Sequence, residues 1–393
     1  MNRPGFTSIS FVQSLVIILS TTFAVRASNN MLVTSVPLLA HYDLGLSQTY
    51  IGVLSALTSA FTFLATALIN IRLGSRARRS AYIISNVAYA AVLIAFAYSN
   101  LLTVWILSAA AGFLLGMIMP NIITSASLFP DPVTRDRVLT LYTIFLSFSL
   151  IMGPAIEAYL LLFIGLREIF LFFSLFAVVS VMLSPFLAFP EERKDRSRIP
   201  LISSYGFRTA LYNIMAYNVP FAILIAFAGI YERQSFGISL SMVTALFSIF
   251  FTSSLASRIF LSIRVKGVLR RRMYATMILS VFGIAMVLIS WNLWVFAIAL
   301  AILGIPHGLA YPLSVLSISR SFKPDERNVA NSAFFSILML IGIFVPLAGG
   351  YFIDLFGFKL VMLGIVFIIV LLMLLTWRTF IEWDRTKNAE IQY

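Results

Sequence analysis

The chain has 393 residues, of which 60% are hydrophobic and only 11% are charged, and its mean hydropathy is +0.98. A soluble protein carries about 25% charged residues, so this composition excludes a water-exposed globule and indicates a fold in lipid. Cysteine is absent, which excludes disulfides, thiolate metal sites and cysteine nucleophiles.

Continuous apolar runs follow one another along the chain, each long enough to cross a hydrocarbon core of about 30 Å as an α-helix. Because these runs do not alternate with polar residues, they predict helices and not a β-barrel. The sequence therefore predicts an all-α membrane protein with twelve transmembrane helices. In the first half we expect spans at about 11–40, 47–71, 80–98, 101–128, 137–162 and 166–190, and in the second at about 203–232, 239–264, 272–291, 293–321, 328–355 and 357–381. The first span is too long and too polar at its centre for a cleaved signal peptide.

The two halves repeat each other at a fixed offset of 192 residues. Glycines, prolines and arginines coincide at this offset, for example Gly45 with Gly237 and Arg135 with Arg327. The period is too long for a solenoid, whose units have roughly 20–50 residues, so it indicates a duplicated domain. We predict an N-terminal six-helix bundle over 1–190, a charged cytoplasmic linker over 191–202 and a C-terminal six-helix bundle over 203–393.

Basic residues concentrate in the even-numbered connections between spans, and the odd-numbered connections are nearly bare. The basic set is Arg72, Arg76, Arg78, Arg79, Arg135, Arg137, Arg193, Lys194, Arg196, Arg198, Arg264, Lys266, Arg270, Arg271, Arg272, Lys323 and Arg327; the odd connections carry His41, Asp43, Asn100, Glu232, Arg233 and Asn292. Short basic loops stay cytoplasmic, so both termini are expected in the cytoplasm of a plasma-membrane protein. This topology signal accounts for the net charge of +13 without a nucleic-acid partner. An even number of spans per half makes the repeat parallel.

Six plus six parallel spans joined by a charged linker resemble the major facilitator superfamily over essentially the whole chain. The family's motif between spans 2 and 3 is present only at its basic end, in Arg76, Arg78 and Arg79. Leu73, Gly74 and Ser75 occupy the region of the family's aspartate. The resemblance implies gating or structural roles for Arg78 and Arg79, without the carboxylate that completes the gate.

Span 5 resembles the family's antiporter signature in Gly153 and Pro154, but Glu157-Ala158 stands where two glycines are expected. Span 11 shows the complement, with Pro346, Gly349 and Gly350. These residues permit close helix packing and a local break in the helix, which implies gating or structural roles. Gly112 with Gly116, and Gly304 with Gly308, are expected to be close-packing faces of spans 4 and 10.

The resemblance implies that spans 1, 4, 7 and 10 line a central cavity. Polar residues concentrate near the middle of these four spans, where charged groups normally face an interior because lipid exposure costs several kcal/mol. We therefore predict a substrate-binding set of Arg26, Asn29, Asn30, Asn121, Asn213, Asn218, His307 and Tyr311.

Two readings of Arg26 stay open: a structural cation paired with a carboxylate of the first half, or an anchor for the carboxylate or phosphate of a substrate. Glu157 is the only carboxylate well inside a span of the first half, and it lies roughly 10 Å beyond the middle of span 5. It is expected to pair with another helix or to carry a proton. His307 is either a second proton carrier or a hydrogen-bonded packing residue. Arg258, near the inner end of span 8, is expected to snorkel or to pair.

The sequence thus favours a secondary active transporter that moves a small organic solute by alternating access and is coupled to protons, with efflux preferred. Uptake of an organic anion, or a sensor that binds a solute without moving it, are the alternatives. The sequence shows no clustered catalytic set and no phosphate-binding loop, so neither an enzyme nor an ATP-driven pump is expected. We expect no cofactor, and a monomer with solute, protons and lipid as its partners.

Overall fold

The computed structural model describes residues 11–129, 131–189, 200–263, 268–322 and 326–391. Within these ranges the regular structure is entirely helical, and twelve helices are long and apolar enough to cross a membrane. They are α1 Phe11–Asp43, α2 Gln48–Arg72, α3 Ser75–Ala97, α4 Thr103–Ala126, α5 Val133–Leu160, α6 Leu166–Phe186, α7 Tyr205–Phe236, α8 Leu240–Ile263, α9 Leu269–Ile289, α10 Leu293–Ser321, α11 Val329–Phe356 and α12 Phe358–Asp384. The predicted all-α fold with twelve spans is confirmed.

Several helices extend beyond the predicted spans, because apolar composition marks the membrane and not the end of a helix. α3 begins at Ser75, so Arg76, Arg78 and Arg79 lie in its first turns and not in the connection. α7 continues to Phe236, so Glu232 and Arg233, which we predicted in a loop, are helical. α12 continues as a helix to Ile391. Most of the predicted linker lies outside the described residues, as do Arg193, Lys194, Arg196, Arg198, Arg264, Lys266 and Lys323.

The start of α5 shows why a helix begins before its apolar run. The Asp131 carboxylate accepts hydrogen bonds from Thr134, 2.8 Å from its backbone nitrogen and 2.6 Å from its hydroxyl. Pro132 follows at the first helical position, where a missing N–H costs nothing. The hydrogen bonds from Thr134 lower the pKa of Asp131 below its usual value. The cap therefore starts the helix several residues ahead of the predicted span.

The chain forms two compact units, Met1–Arg193 with Ile238–Ser248 and Lys194–Gly237 with Ile249–Tyr393. In the first unit α1 packs against α5 and α6, and α3 packs against α4 and α6. In the second unit α7 packs against α11 and α12, and α9 packs against α10 and α12. The same partners therefore recur at corresponding places in the two halves. The first turns of α8 group with the first unit.

The backbone repeats the 192-residue register at two turns. Gly45 has a φ of 68° and Gly237 a φ of 64°, both in the left-handed region. Gly45 precedes α2 and Gly237 precedes α8, with Gly237 also ending α7. A side chain at such a φ costs roughly 1–2 kcal/mol, which glycine avoids. The same conformational need thus fixes glycine at the same place in each copy.

In the first unit, two glycines of α4 bring its backbone directly against α2. A Cβ atom at Gly112 would overlap the carbonyl oxygen of Thr58, and one at Gly116 would press on the carbonyl of Thr62. The Thr62 hydroxyl donates to the Gly112 carbonyl over 2.9 Å, and the Thr66 hydroxyl to the Gly116 carbonyl over 3.0 Å. This contact confirms the predicted close-packing face of α4.

The second unit has the equivalent contact between α10 and α8. A Cβ atom at Gly304 would overlap the Phe250 carbonyl oxygen, and one at Gly308 the Ser254 carbonyl oxygen. The Ser257 hydroxyl donates to the carbonyl of Ile305 over 3.1 Å. The predicted close-packing face of α10 is also confirmed, and in both units a hydroxyl of the partner helix bonds to the glycine helix.

Substituting alanine for Gly112 or Gly304 is therefore expected to destabilise the protein, because the new methyl group meets a backbone carbonyl that has no rotamer to change. Overpacking of this kind costs about 1–3 kcal/mol. Thermal unfolding in detergent measures the effect. Gly364→Ala in α12 is the matched control, since nothing lies within 4 Å of a Cβ there. Equal melting temperatures for Gly112→Ala and Gly364→Ala would contradict the packing argument.

Candidate functional site

Glu157 lies on α5 with a side chain that is 0% exposed. Its Oε1 accepts a hydrogen bond from the Ser35 hydroxyl over 2.5 Å, and its Oε2 accepts one from the Thr34 hydroxyl over 2.8 Å. Both hydroxyls belong to α1. The carboxyl group is thus held by two neutral groups of a neighbouring helix.

Gly153, one turn before Glu157, allows α5 and α1 to come this close. A Cβ at position 153 would lie 3.2 Å from the Ala27 carbonyl oxygen and 3.3 Å from the Asn30 Cβ. Pro154 lies within α5 at the same level. The glycine of the antiporter-like sequence therefore serves the contact that carries Glu157.

Arg26 lies on α1, about two turns before Thr34, which is roughly 12 Å along the helix axis. Its side chain is half-buried, and it takes part in none of the ion pairs among the described residues. Its neighbour Asn29 is half-buried, and Asn30 is buried with an amide nitrogen that has no hydrogen-bond partner in the described part of the chain. The structure therefore does not pair Arg26 with Glu157.

Asn121 of α4 belongs to a hydrogen-bond network at the end of α2. Its amide nitrogen donates to the Asn70 Oδ1 over 3.0 Å and to the Met117 carbonyl over 2.6 Å. The Arg78 guanidinium donates to the carbonyls of Asn70 and Leu73 over 3.4 and 3.0 Å. These bonds join α2, α3 and α4, so the amide of Asn121, predicted to bind substrate, is engaged in helix contacts.

Arg79 also binds a carbonyl group at a helix end. Its guanidinium donates to the Pro185 carbonyl over 2.8 Å. Pro185 belongs to the last turn of α6, where a cation complements the helix dipole. Arg78 and Arg79 thus fasten the first turns of α3 to two other helices of the first unit.

Asn213 of α7 is similarly engaged in the second unit. Its amide nitrogen donates to the Ala310 carbonyl and to the Ser314 hydroxyl, both over 2.9 Å. Its amide oxygen accepts from the Thr276 hydroxyl over 2.9 Å. The side chain thereby joins α7, α9 and α10, and both of its amide hydrogens are used within the unit.

His307 of α10 lies in an aromatic cluster and has one side-chain hydrogen-bond contact among the described residues. Its Nδ1 is 2.6 Å from the Ser254 hydroxyl. The ring lies 4.8–5.5 Å, between centroids, from four aromatic rings of α7 and α8: Phe221, Phe250, Tyr217 and Phe251. This arrangement agrees with the packing interpretation of the histidine.

Arg258 of α8 lies within electrostatic reach of Tyr217, Tyr311 and His307. The Tyr311 side chain is 44% exposed, whereas the hydroxyl of Tyr217 is buried without a hydrogen-bond partner among the described residues. Asn218 is half-buried on α7. Sequence reasoning placed Arg258 outside the site, although its counterpart at the 192-residue offset is Thr66. That disagreement between the copies was the available signal.

The helix α11, which contains Pro346, Gly349 and Gly350, packs against α7. Pro346, Gly349 and Gly350 are buried, and a Cβ atom at Gly349 would overlap the side chain of Ile223. The second unit therefore uses Gly349 for a close helix contact, as the first unit uses Gly153.

Twelve apolar helices in two units, each with polar side chains buried between its own helices, define a multi-pass helical membrane protein. The sequence matches the Major Facilitator Superfamily over residues 18–231 and again over residues 209–392. The chain belongs to this family.

Solved structures share the fold at low sequence identity. A bacterial homologue of the human lysosomal transporter Spinster, inward-facing and occupied, superposes with a TM-score of 0.69 at 14% identity, covering 94% of this chain and 96% of its own. The nucleoside transporter NupG superposes with a TM-score of 0.72 at 14% identity, covering 93% of this chain and 100% of its own. The human organic anion transporter MFSD10 superposes with a TM-score of 0.67 at 13% identity, covering 92% of this chain and 98% of its own. No curated protein sequence matches the chain.

Proposed function

We propose that the chain is a secondary transporter that moves a small organic anion across the plasma membrane by alternating access, coupled to protons. The observation that carries this proposal is the separation of Arg26 from Glu157. A cation and a carboxyl group lie in the same unit, on helices in contact, and each is free of the other.

Arg26 is the proposed substrate anchor. A guanidinium at mid-span needs an anionic partner, because facing lipid alone costs several kcal/mol. None of the ion pairs in the described residues supplies that partner. A carboxylate or phosphate group of a solute would bind the guanidinium through two parallel hydrogen bonds. The neighbouring Asn29 and Asn30 add amide groups on the same helix.

Glu157 is the proposed proton carrier. A buried carboxylate without a cation is costly, whereas a protonated carboxyl group is neutral. The Thr34 and Ser35 hydroxyls are able to donate to the charged form and to accept from the neutral form. The group therefore keeps both hydrogen bonds in either state. The contacts of His307 favour a packing role, so we assign coupling to Glu157.

The comparisons support a solute carrier at the level of class. NupG is a nucleoside transporter and MFSD10 an organic anion transporter, and both share this fold. The basic residues of the even-numbered connections support cytoplasmic termini. We propose alternating access as the mechanism, in which the two repeated halves move relative to each other.

The proposal is tested in two stages. A thermal-shift screen of organic anions and their neutral analogues in detergent identifies a ligand, since a ligand at 100 times its Kd stabilises the folded state by about 2.7 kcal/mol. The hit is then loaded into proteoliposomes with an imposed pH gradient. We expect flux that follows the gradient and disappears with a protonophore. Binding without flux would show that the protein is a sensor and not a transporter. Flux that does not depend on the pH gradient would contradict proton coupling.

A further inference from the structure

Glu232 is a buried carboxyl group in the second unit that the proposed mechanism does not use. It lies four residues before the end of α7, and its side chain is 0% exposed. Neither of its two oxygens accepts a hydrogen bond from any described residue. Glu157, by contrast, is held by two hydroxyls. The polar sequence around Glu232 had suggested an external loop.

The neighbours of Glu232 along α7 are buried or packed against aromatic rings. The preceding segment Leu224–Ala228 is a π-helix, a distortion that often marks functional sites, and most of it is buried. Tyr231 stacks on Phe358 at the start of α12, with 4.6 Å between centroids, and lies 5.8 Å from Phe296 of α10. The helix on either side of Glu232 is therefore packed within the unit, and no described residue bonds to its carboxyl oxygens.

Few charged groups face this end of the unit. Arg233 is the next residue on α7, about 100° around the helix from Glu232. Lys359, at the start of α12, donates to the Ser290 carbonyl over 3.2 Å, and Asp354 near the end of α11 is exposed. The first turns of α8 and α10 contain no ionisable residue. None of the ion pairs among the described residues includes Glu232.

A carboxylate in such a place needs a bound partner, because an uncompensated buried charge costs several kcal/mol or more. A metal cation would need several oxygen ligands around it, and the described residues contain no group of three or more histidine or acidic side chains that could hold one. A proton needs no further ligand. We propose that Glu232 is a second proton-binding site of the transporter. Its carboxyl group is protonated and neutral while it is buried, and it releases the proton when the end of α7 is exposed to water.

This inference rests on the proposed proton coupling and extends it to the second unit. At the 192-residue offset, Glu232 corresponds to Ala40 and Glu157 corresponds to Gly349. Among the described residues, each copy of the repeat thus holds one deeply buried carboxyl group, at a place where the other copy has none.

Infrared spectroscopy of the purified protein in liposomes tests the inference, since a protonated carboxyl group absorbs apart from ionised carboxylates. At neutral pH we expect two protonated-carboxyl components in the wild-type protein. Glu232→Gln should remove one, Glu157→Gln the other, and the double variant both. Glu168→Gln, which changes an exposed carboxylate at the start of α6, is the matched control and should remove neither.

The outcomes separate the two proposals. A spectrum unchanged by Glu232→Gln overturns the second site, whereas one unchanged by Glu157→Gln counts against the proposed function. If Glu232→Gln does not fold, Glu157→Gln alone decides, because it must retain one component. Loss of the Glu232 component when Na⁺ replaces choline at constant pH would show a metal-cation site and overturn the proton assignment.

Discussion

Replacing Glu157 by glutamine is expected to uncouple solute flux from the proton gradient while leaving the protein folded. Glutamine has nearly the same shape and keeps hydrogen bonds to the Thr34 and Ser35 hydroxyls, but it does not exchange a proton. With the membrane potential held at zero, a gradient of one pH unit supports about tenfold accumulation for each coupled proton. We expect that part of the accumulation to disappear.

Proteoliposomes loaded with the solute from the thermal-shift screen measure this effect in two assays. The part of the accumulation that depends on proton exchange at Glu157 should be lost, and exchange of labelled for unlabelled solute without a gradient should continue. Glu168→Gln is again the control for loss of a carboxylate at an exposed place. Wild-type accumulation by Glu157→Gln would remove this residue from the coupling mechanism.

Replacing Arg26 by alanine should abolish recognition of the anionic group. A hydrogen bond to a charged group contributes about 1.5–3 kcal/mol, so the affinity for an anionic solute should fall by roughly 10-fold to 100-fold or more. Arg26→Lys should recover only part of this loss, because an ammonium group lacks the two-pronged geometry of the guanidinium. Isothermal titration in detergent measures the affinity directly.

The control for Arg26→Ala is Arg76→Ala, which removes an exposed cation at the start of α3. A neutral analogue of the solute provides a second control, since its affinity should change little in either variant. Equal losses for the anionic solute and its neutral analogue would show that Arg26 supports the structure and does not select charge.

Much of the fold was predictable because membrane-spanning helices are set by length and hydrophobicity alone. The starts and ends of helices were less so, since polar residues are tolerated wherever a helix leaves the membrane. Asp131 starts α5 ahead of its apolar run, and Arg233 continues α7 beyond the predicted boundary. Hydropathy registers none of these effects, whereas capping and burial decide them.

The candidate site was predictable in its residue types but not in its pairings. Arg26 and Glu157 stood out as ionisable groups within spans. Their sequence positions do not show that the Glu157 carboxyl group bonds to two hydroxyls of α1 and not to Arg26. Asn121 and Asn213 look equally suited to binding or to packing. Their partners come from other helices, and a single sequence does not reveal which helix faces which amide.

The glycine contacts of α4 and α10 have a mechanical consequence. Two helices whose backbones are in direct contact have no side chains between them that could rearrange. We therefore expect α2 with α4, and α8 with α10, each to move as one rigid pair. Because the chain has no cysteine, pairs of engineered cysteines carrying spin labels report distances without a background. Two labels placed on the two helices of one rigid pair should keep a constant distance through the whole transport cycle.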